Sequence, residues 1–267
     1  MGTKTKKFLV IGNPIEHSLS PKIHNYWIKK NNIDAVYDKQ KLSNDNLKNL
    51  ILKIKNKEIN GVNVTVPFKK EVISYLDKLS PEAEGTQSVN TICLDDNKII
   101  GHNTDIAGFE LAIKETKYDV VEKKILILGA GGVVPSIIFA LNKMKVSSIT
   151  LSNRTKSKAE NLKKLFKNLL IVNWGEVPNF DVIINATSLG LNNKDIINLD
   201  FSKIGKGKFF YDVIYNPIET NFLKRAKKLG HETENGKKMF IYQAAEAFKI
   251  WHGVQPEINE EVRNLLE

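Results

Sequence analysis

The chain has 267 residues, of which 42% are hydrophobic and 26% are charged, and this composition excludes a disordered or fibrous protein. The length suits two domains better than one. A formal net charge of +10 makes nucleic acid a partner to consider, but the lysines are scattered in pairs and no zinc-finger or RNA-recognition signature accompanies them. We therefore interpret the charge as a solvated lysine-rich surface, which also favours small anionic ligands.

Cysteine use and the N-terminus bear on where the protein works. Cys93 is the only cysteine, so an intramolecular disulfide and a thiol metal site are excluded. We expect a cytoplasmic protein that needs no metal and has no nucleic-acid or membrane partner. The first residues lack the apolar segment of a signal peptide. Glycines and Pro135 break the uncharged run 125–142, which predicts a buried strand, a turn and a buried helix instead of a membrane span.

The first half of the chain alternates short strands and helices. We predict strands at 8–11, at 35–40 and from residue 62, helices from residue 20, at 44–55 and from residue 69, a turn at 80–82, and a hairpin at 88–101. Ser20, followed by Pro21, has the pattern of a helix N-cap. Asp105 precedes another predicted helix, where a capping role is again the alternative to a functional one.

One predicted strand delivers polar groups together. Residues 62–66 alternate valine with the polar Asn63 and Thr65, so both polar side chains point to one face of a half-buried strand. Pro67 ends the ladder because it has no N–H to donate, and Lys69 follows directly. The plain alternative is an amphipathic edge strand followed by a solvated basic turn.

The second half contains a dinucleotide-binding pattern. The apolar run 125–128 is typical of a parallel strand covered on both faces. It leads into the turn Gly129-Ala130-Gly131-Gly132-Val133 and then a helix, which is the context that the nucleotide fingerprint requires. Gly131 lets the backbone approach a pyrophosphate, and the helix N-terminus favours the anion. Val134 stands where a third small residue is expected and Pro135 lies in the first helical turn, a pair that disfavours close packing of this helix on the strand.

The next strand indicates which nucleotide binds. After the strand 148–152, Arg154, Lys156 and Lys158 precede the first acid, Glu160. An NAD site usually carries an acid at this distance for the ribose hydroxyl. A guanidinium instead binds a 2′-phosphate with two hydrogen bonds. The sequence therefore predicts NADP.

Further strands and helices extend this unit. We predict strands at 169–173, 182–185 and 209–213, then helices at 236–251 and 256–266. Alternating strands and helices imply a parallel sheet, whose carboxyl edge would carry the segments 185–188 and 215–217. Gln243 lies on the apolar face of the first of these helices, where an amide meets either a backbone group or a ligand.

Many ordered motifs resemble the shikimate dehydrogenase family over nearly the whole chain. They are Gly12-Asn13-Pro14-Ile15, His17-Ser18-Leu19-Ser20-Pro21-Lys22-Ile23-His24-Asn25, Asn63-Val64-Thr65-Val66-Pro67-Phe68-Lys69, Asn90-Thr91, Asn103-Thr104-Asp105, the glycine turn, Asn153-Arg154-Thr155, Asn185-Ala186-Thr187-Ser188, Tyr211-Asp212, Tyr215-Asn216-Pro217 and Gln243-Ala244-Ala245. The glycine turn alone is weak evidence, whereas this ordered set is specific.

The resemblance implies reversible hydride transfer between NADPH and the C3 carbonyl of 3-dehydroshikimate, in aromatic amino-acid (chorismate) biosynthesis. It implies Lys69 and Asp105 as the catalytic pair. The implied substrate-binding residues are Ser18, Ser20, Asn63, Thr65, Lys69, Asn90, Asp105, Tyr215 and Gln243. The implied cofactor-binding residues are Gly129, Ala130, Gly131, Gly132, Val133, Asn153, Arg154, Thr155, Lys158, Thr187, Ser188 and Gly236. Val134 and Pro135 stand where the family usually has Ala and Arg, and we expect this departure to alter the pyrophosphate contacts and to weaken cofactor affinity.

The resulting expectation is an α/β chain of two domains. Residues 1–104 and 236–267 would form a substrate domain with a mostly parallel sheet, and residues 105–235 a Rossmann-type NADP domain, in a monomer or homodimer. Two alternatives stay open. One is a quinate/shikimate dehydrogenase with relaxed NAD or NADP use, and the other a non-catalytic NADP-sensing or nucleic-acid-binding module.

Overall fold

A computed structural model describes residues 5–192, 195–202 and 204–266 and divides the chain into two compact units. The first unit comprises the residues up to Gly108 together with those from Ile241 onward, and the second is Phe109–Phe240. Residues 1–4, which were considered for a targeting signal, lie outside the described residues. Within the described ranges, no helix combines the length and apolarity that crossing a membrane requires.

Strands and helices alternate along the chain. Its first part contains β1 (Lys6–Gly12), α1 (Ser20–Lys30), β2 (Ala35–Lys41), a 3₁₀ turn (Asn44–Asn46), α2 (Leu47–Lys55), β3 (Gly61–Val64), a 3₁₀ helix (Glu71–Tyr75), β4 (Lys78–Leu79), α3 (Pro81–Thr86), β5 (Thr91–Asp95), β6 (Lys98–His102) and α4 (Asp105–Thr116). Its second part contains β7 (Lys124–Leu128), α5 (Val134–Lys143), β8 (Ser148–Ser152), α6 (Lys156–Leu165), β9 (Leu170–Val172), β10 (Val182–Asn185), β11 (Phe209–Asp212), α7 (Asn221–Lys228), β12 (Glu232–Glu234), α8 (Lys237–His252) and α9 (Glu260–Asn264).

The first unit is built on a six-stranded mixed sheet with the order β2-β1-β3-β5-β6-β4. The pairings of β1 with β2, β1 with β3, and β4 with β6 are parallel, whereas β5 runs antiparallel to β3 and β6. The predicted hairpin is confirmed, because Asp96 and Asn97 adopt the left-handed φ values of 45° and 60° that a two-residue hairpin loop requires. The sheet is therefore mostly parallel with one antiparallel hairpin.

Strand β3 lies inside this sheet, so the alternative of an edge strand is wrong. Val62 and Val64 are 0% and 2% exposed and belong to the hydrophobic core that α2 also lines. The opposite face is covered as well, because Trp251 of α8 packs directly on Gly61. Asn63 on that face is only 7% exposed. The alternating pattern predicted a half-buried strand, but neighbouring helices bury both of its faces.

The second unit is a six-stranded parallel sheet with the order β12-β11-β10-β7-β8-β9. Numbered from β7, this is the doubly wound order of Rossmann folds. The run Ile125–Leu128 is buried throughout, as expected for a parallel strand covered on both faces. In such sheets ligands bind beyond the carboxyl ends of the strands, so the segments following β7, β8, β10 and β11 are positioned for function.

Candidate active site

A buried lysine–aspartate ion pair is the central feature of the first unit. The Lys69 ammonium donates to Asp105 Oδ2, and the two side chains are 11% and 8% exposed. The Val89 N–H donates to the Lys69 carbonyl at 2.8 Å, which anchors the lysine backbone just beyond β3. Both charges are largely removed from water, so removing either one would leave the other unpaired and buried.

Asn90 holds the aspartate from its other side. Its amide nitrogen donates to Asp105 Oδ1 and to the Thr104 hydroxyl, both at 2.9 Å, and Gln243 Oε1 lies 3.5 Å away. Its amide oxygen accepts the backbone N–H of Thr104 at 2.8 Å. Asp105 is the first residue of α4, and its carboxylate bonds the side chains of Lys69 and Asn90.

Asn63 joins the same polar cluster from β3. Its amide nitrogen donates to the Asn90 carbonyl at 3.1 Å and to the Thr91 hydroxyl at 3.0 Å. Its amide oxygen accepts the hydroxyl of Tyr37 at 2.6 Å. Thr65 follows in the next segment, where its N–H donates to the Ile11 carbonyl at 2.9 Å.

The serine pair lies at the start of α1. Ser18 accepts the backbone N–H of Ser20 at 3.3 Å, and Ser20 is 7% exposed. Leu19 occupies the N-cap position and no side chain caps the helix, so the prediction of Ser20 as N-cap is wrong. Burial raises the pKa of the Tyr37 hydroxyl well above its usual range, and the Ser20 side chain opposes that rise.

The glycine turn of the second unit has two different glycines. Gly129 adopts φ +103°, and an added Cβ would lie 2.8 Å from the Ala186 carbonyl oxygen. Gly131 is exposed, and a Cβ there would meet the same oxygen at an ordinary 3.7 Å. The fold itself therefore requires glycine at 129 but not at 131. A glycine that the protein's own packing does not need fits a backbone approached by phosphate.

Basic side chains follow at the end of β8. Arg154 and Lys158 are exposed, and neither forms an ion pair with any residue that the structure describes. The Asn153 side chain donates to the Thr155 carbonyl at 2.8 Å, which shapes the turn ahead of α6. Together with the glycine turn, these cations fit an NADP phosphate.

A buried aspartate organises the remaining carboxyl edge. Asp212 accepts hydrogen bonds from the Asn185 amide at 3.0 Å, the Ile214 N–H at 3.0 Å and the Thr220 hydroxyl at 2.6 Å. Burial raises the pKa of Asp212 to about 6. Asn185 in turn accepts the Thr187 hydroxyl at 2.7 Å.

Three other predicted residues surround this edge. Ser188 follows Thr187 in the loop after β10, and its carbonyl accepts the Leu191 N–H at 3.2 Å. Tyr215 follows β11 and stacks on Phe240 with ring centroids 4.5 Å apart. Gly236 is required by packing, because a Cβ there would lie 2.1 Å from the Val213 carbonyl oxygen.

The first unit thus gathers the predicted Lys69, Asp105, Asn90, Asn63 and Gln243 into one hydrogen-bonded cluster. Tyr215 and the predicted cofactor residues belong to the second unit. Sequence reasoning assigned no role to six members of these networks, Tyr37, Thr91, Thr104, Asn185, Asp212 and Thr220. Four of the six lie in the quoted motifs, whereas Tyr37 and Thr220 have no motif. No group of three or more potential metal ligands occurs within the described residues.

The fold and these residues define a class of protein, an oxidoreductase that has an α/β unit bearing a buried polar cluster and a Rossmann unit for a dinucleotide. Family models match three regions: the shikimate dehydrogenase substrate binding domain at residues 10–92, shikimate/quinate 5-dehydrogenase at 110–213, and the shikimate 5′-dehydrogenase C-terminal domain at 238–261. The chain belongs to the shikimate dehydrogenase family.

Individual relatives match along nearly their whole length. The shikimate dehydrogenase (NADP(+)) of Pelagibacter ubique is 60% identical, over 98% of this chain and 99% of that protein. The crystal structure of the Aquifex aeolicus shikimate dehydrogenase is 37% identical with a TM-score of 0.91, covering 100% and 98% of the two chains. The Thermus thermophilus shikimate 5-dehydrogenase, solved in complex with NADP(H) and shikimate, is 29% identical with a TM-score of 0.89, covering 98% of each chain.

Proposed function

We propose that this chain catalyses the reversible, NADPH-dependent reduction of the C3 carbonyl of 3-dehydroshikimate to shikimate, in aromatic amino-acid biosynthesis. The observation that carries the proposal is the buried Lys69–Asp105 pair, held by Asn90 in a cluster of amides and hydroxyls. Such a cluster suits a polyol, because buried polar groups need partners that a hydroxylated ring supplies. Because the chain belongs to the shikimate dehydrogenase family, we assign shikimate as this polyol.

Lys69 acts on the oxygen that changes charge. In the direction of reduction, negative charge develops on the C3 oxygen, and the Lys69 ammonium stabilises it and supplies the proton. In the reverse direction the same nitrogen takes that proton from the hydroxyl. Asp105 orients the ammonium through Oδ2, while Asn90 fixes Oδ1.

The remaining residues recognise the substrate. Ser18 and Ser20, with Tyr215, would hold the carboxylate, and Asn63, Thr65, Asn90, Asp105 and Gln243 would hold the ring hydroxyls. The substrate domain would comprise residues 1–104 and 236–267, and residues 105–235 the NADP domain. A cytoplasmic setting and a monomeric or homodimeric state remain predictions.

The cofactor residues fit NADP. When bound, the nicotinamide supplies or accepts the hydride. Gly129, Ala130, Gly131, Gly132 and Val133 would cradle the pyrophosphate at the start of α5. Arg154 and Lys158, with Asn153 and Thr155, would bind the 2′-phosphate, and Thr187, Ser188 and Gly236 would line the carboxyl edge of the sheet.

The test is initial-rate measurement of the wild-type chain with shikimate or quinate, each paired with NADP⁺ or NAD⁺. We expect turnover to be fastest with shikimate and NADP⁺. Comparable rates on quinate with NAD⁺ would instead establish the quinate/shikimate alternative. Salt-dependent binding of nucleic acid without any turnover would establish the non-catalytic alternative.

A further inference from the structure

Tyr37 faces inward from an otherwise solvent-facing edge strand. Its neighbours Val36 and Asp38 are exposed, whereas Tyr37 itself is 3% exposed. Its hydroxyl donates to Asn63 Oδ1 at 2.6 Å. One buried hydroxyl on the edge strand therefore holds the amide of a residue assigned to the ring hydroxyls of the substrate.

The hydrogen-bond inventory fixes the orientation of the Asn63 amide. A phenol has a single hydrogen, and here it goes to the amide oxygen of Asn63. The Asn63 amide nitrogen is committed to the Asn90 carbonyl and the Thr91 hydroxyl. A flipped Asn63 amide would set its oxygen against the Asn90 carbonyl oxygen, so the Asn90 carbonyl and the Tyr37 hydroxyl together hold the amide in a single direction.

Helix α1 locks Tyr37 in place. The Asn25 side chain accepts the Tyr37 N–H at 2.9 Å and donates to the Tyr37 carbonyl at 2.7 Å. The His24 ring stacks on the Tyr37 ring, with centroids 4.2 Å apart and an interplanar angle of 2°. These contacts give a role to His24 and Asn25, two residues of the motif at 17–25 that were not assigned to substrate binding.

We propose that Tyr37 is a positioning residue for substrate recognition, which sets the Asn63 amide in the direction that the substrate requires. Tyr37 acts through Asn63 and does not touch the reacting atoms. The inference rests on the proposed function, because Asn63 is a substrate residue only within it.

The test compares Tyr37→Phe with Tyr26→Phe. Tyr37→Phe keeps the stacked ring and leaves the buried Asn63 oxygen without its donor, so we expect KM for shikimate to rise about 10-fold or more. Turnover number at saturation and NADP affinity stay within about threefold, because neither Lys69 nor the nucleotide residues change. Tyr26→Phe removes an equally short 2.6 Å phenol bond, but to an exposed glutamate on the protein surface, and leaves KM unchanged.

A second set of variants separates positioning from general stability. Asn63→Ala combined with Tyr37→Phe should raise KM by less than the product of the single effects, because the two residues act through one bond. Asn25→Ala keeps the Tyr37 hydroxyl but frees its backbone, and should raise KM without changing NADP affinity. This variant also serves if Tyr37→Phe does not fold.

Three outcomes would overturn the inference. They are an unchanged KM in folded Tyr37→Phe, an unchanged KM in folded Asn25→Ala, and a parallel loss of turnover number and NADP affinity. These failures are distinct from failure of the proposed function, which wild-type turnover of shikimate decides. A wild-type chain inert towards shikimate would overturn both.

Discussion

Removing the charge of Lys69 tests whether the buried ion pair is catalytic or merely structural. Lys69→Met keeps the length of the side chain and leaves the Asp105 carboxylate buried without its cation. The adjacent Lys70 provides a matched control, because it is exposed and forms no ion pair with a described residue. Lys70→Met should therefore change neither stability nor turnover.

The magnitudes follow from the geometry. Breaking a buried ion pair by removing one partner costs about 3–5 kcal/mol. Roughly a tenth of each side chain still reaches solvent, and Asn90 continues to donate to Asp105 Oδ1, so we expect about 3 kcal/mol of destabilisation for Lys69→Met. Loss of the group that transfers the proton should lower turnover number by about a hundred- to ten-thousand-fold.

A double variant separates these two effects. Adding Asp105→Asn to Lys69→Met removes the unpaired charge, so urea denaturation should show most of the lost stability restored. Initial rates of NADPH formation from shikimate should stay low, because the proton-transferring group is still missing. Recovery of turnover together with stability would refute a catalytic role, as would near-normal turnover in Lys69→Met alone.

Four further substitutions test the cofactor site and the core. Arg154→Asp should weaken NADP binding about 10- to 100-fold and change NAD binding little, which titration with each nucleotide measures. Equal losses of affinity for the two nucleotides would refute the role of Arg154 in binding the 2′-phosphate. Gly131→Ala should weaken NADP binding and leave the free energy of unfolding within about 0.5 kcal/mol of wild type. Gly129→Ala should instead destabilise the fold, because a backbone φ of +103° and the Ala186 carbonyl oxygen 2.8 Å from the added atom exclude a Cβ there. Burial lowers the pKa of His24 from 6.5 to about 3, so between these two pH values the unfolded chain binds a proton at His24 and the folded chain does not. This proton uptake destabilises the wild-type fold by about 2 kcal/mol at pH 5, and His24→Phe should lack that loss. Urea denaturation at pH 7 and pH 5 measures it, and an equal loss of stability in both proteins would contradict the prediction.

The Rossmann unit was readable from sequence because its signals are local. An unbroken apolar run, a glycine turn and a helix follow one another within Ile125–Lys143, and each predicts its own structure without help from distant residues. Two elements between Phe209–Asp212 and Lys237–His252 were missed. Thr220, which caps α7 by accepting the Leu223 N–H, carried a readable signal, whereas the short strand Glu232–Glu234 exists only through its pairing with β11.

The substrate cluster was predictable only in part. Asn63 and Asp105 stand at element ends within recognisable motifs, and their assignment depended on a resemblance that composition alone does not supply. Tyr37 is a single aromatic residue in a strand of otherwise exposed side chains, so its pattern predicts an ordinary core contact. Its importance comes from Asn63, which is distant in sequence and meets it only in the folded chain.

The origin of the transferred hydride tests the central claim most directly. Shikimate deuterated at C3 is mixed with NADP⁺ and the wild-type chain, and the mass of the reduced nucleotide is measured by mass spectrometry. The proposed function predicts NADPH that carries one deuterium in place of hydrogen, together with 3-dehydroshikimate in equal amount. Unlabelled NADPH, or no NADPH at all, would contradict the assignment of this chain as a dehydrogenase acting at C3 of shikimate.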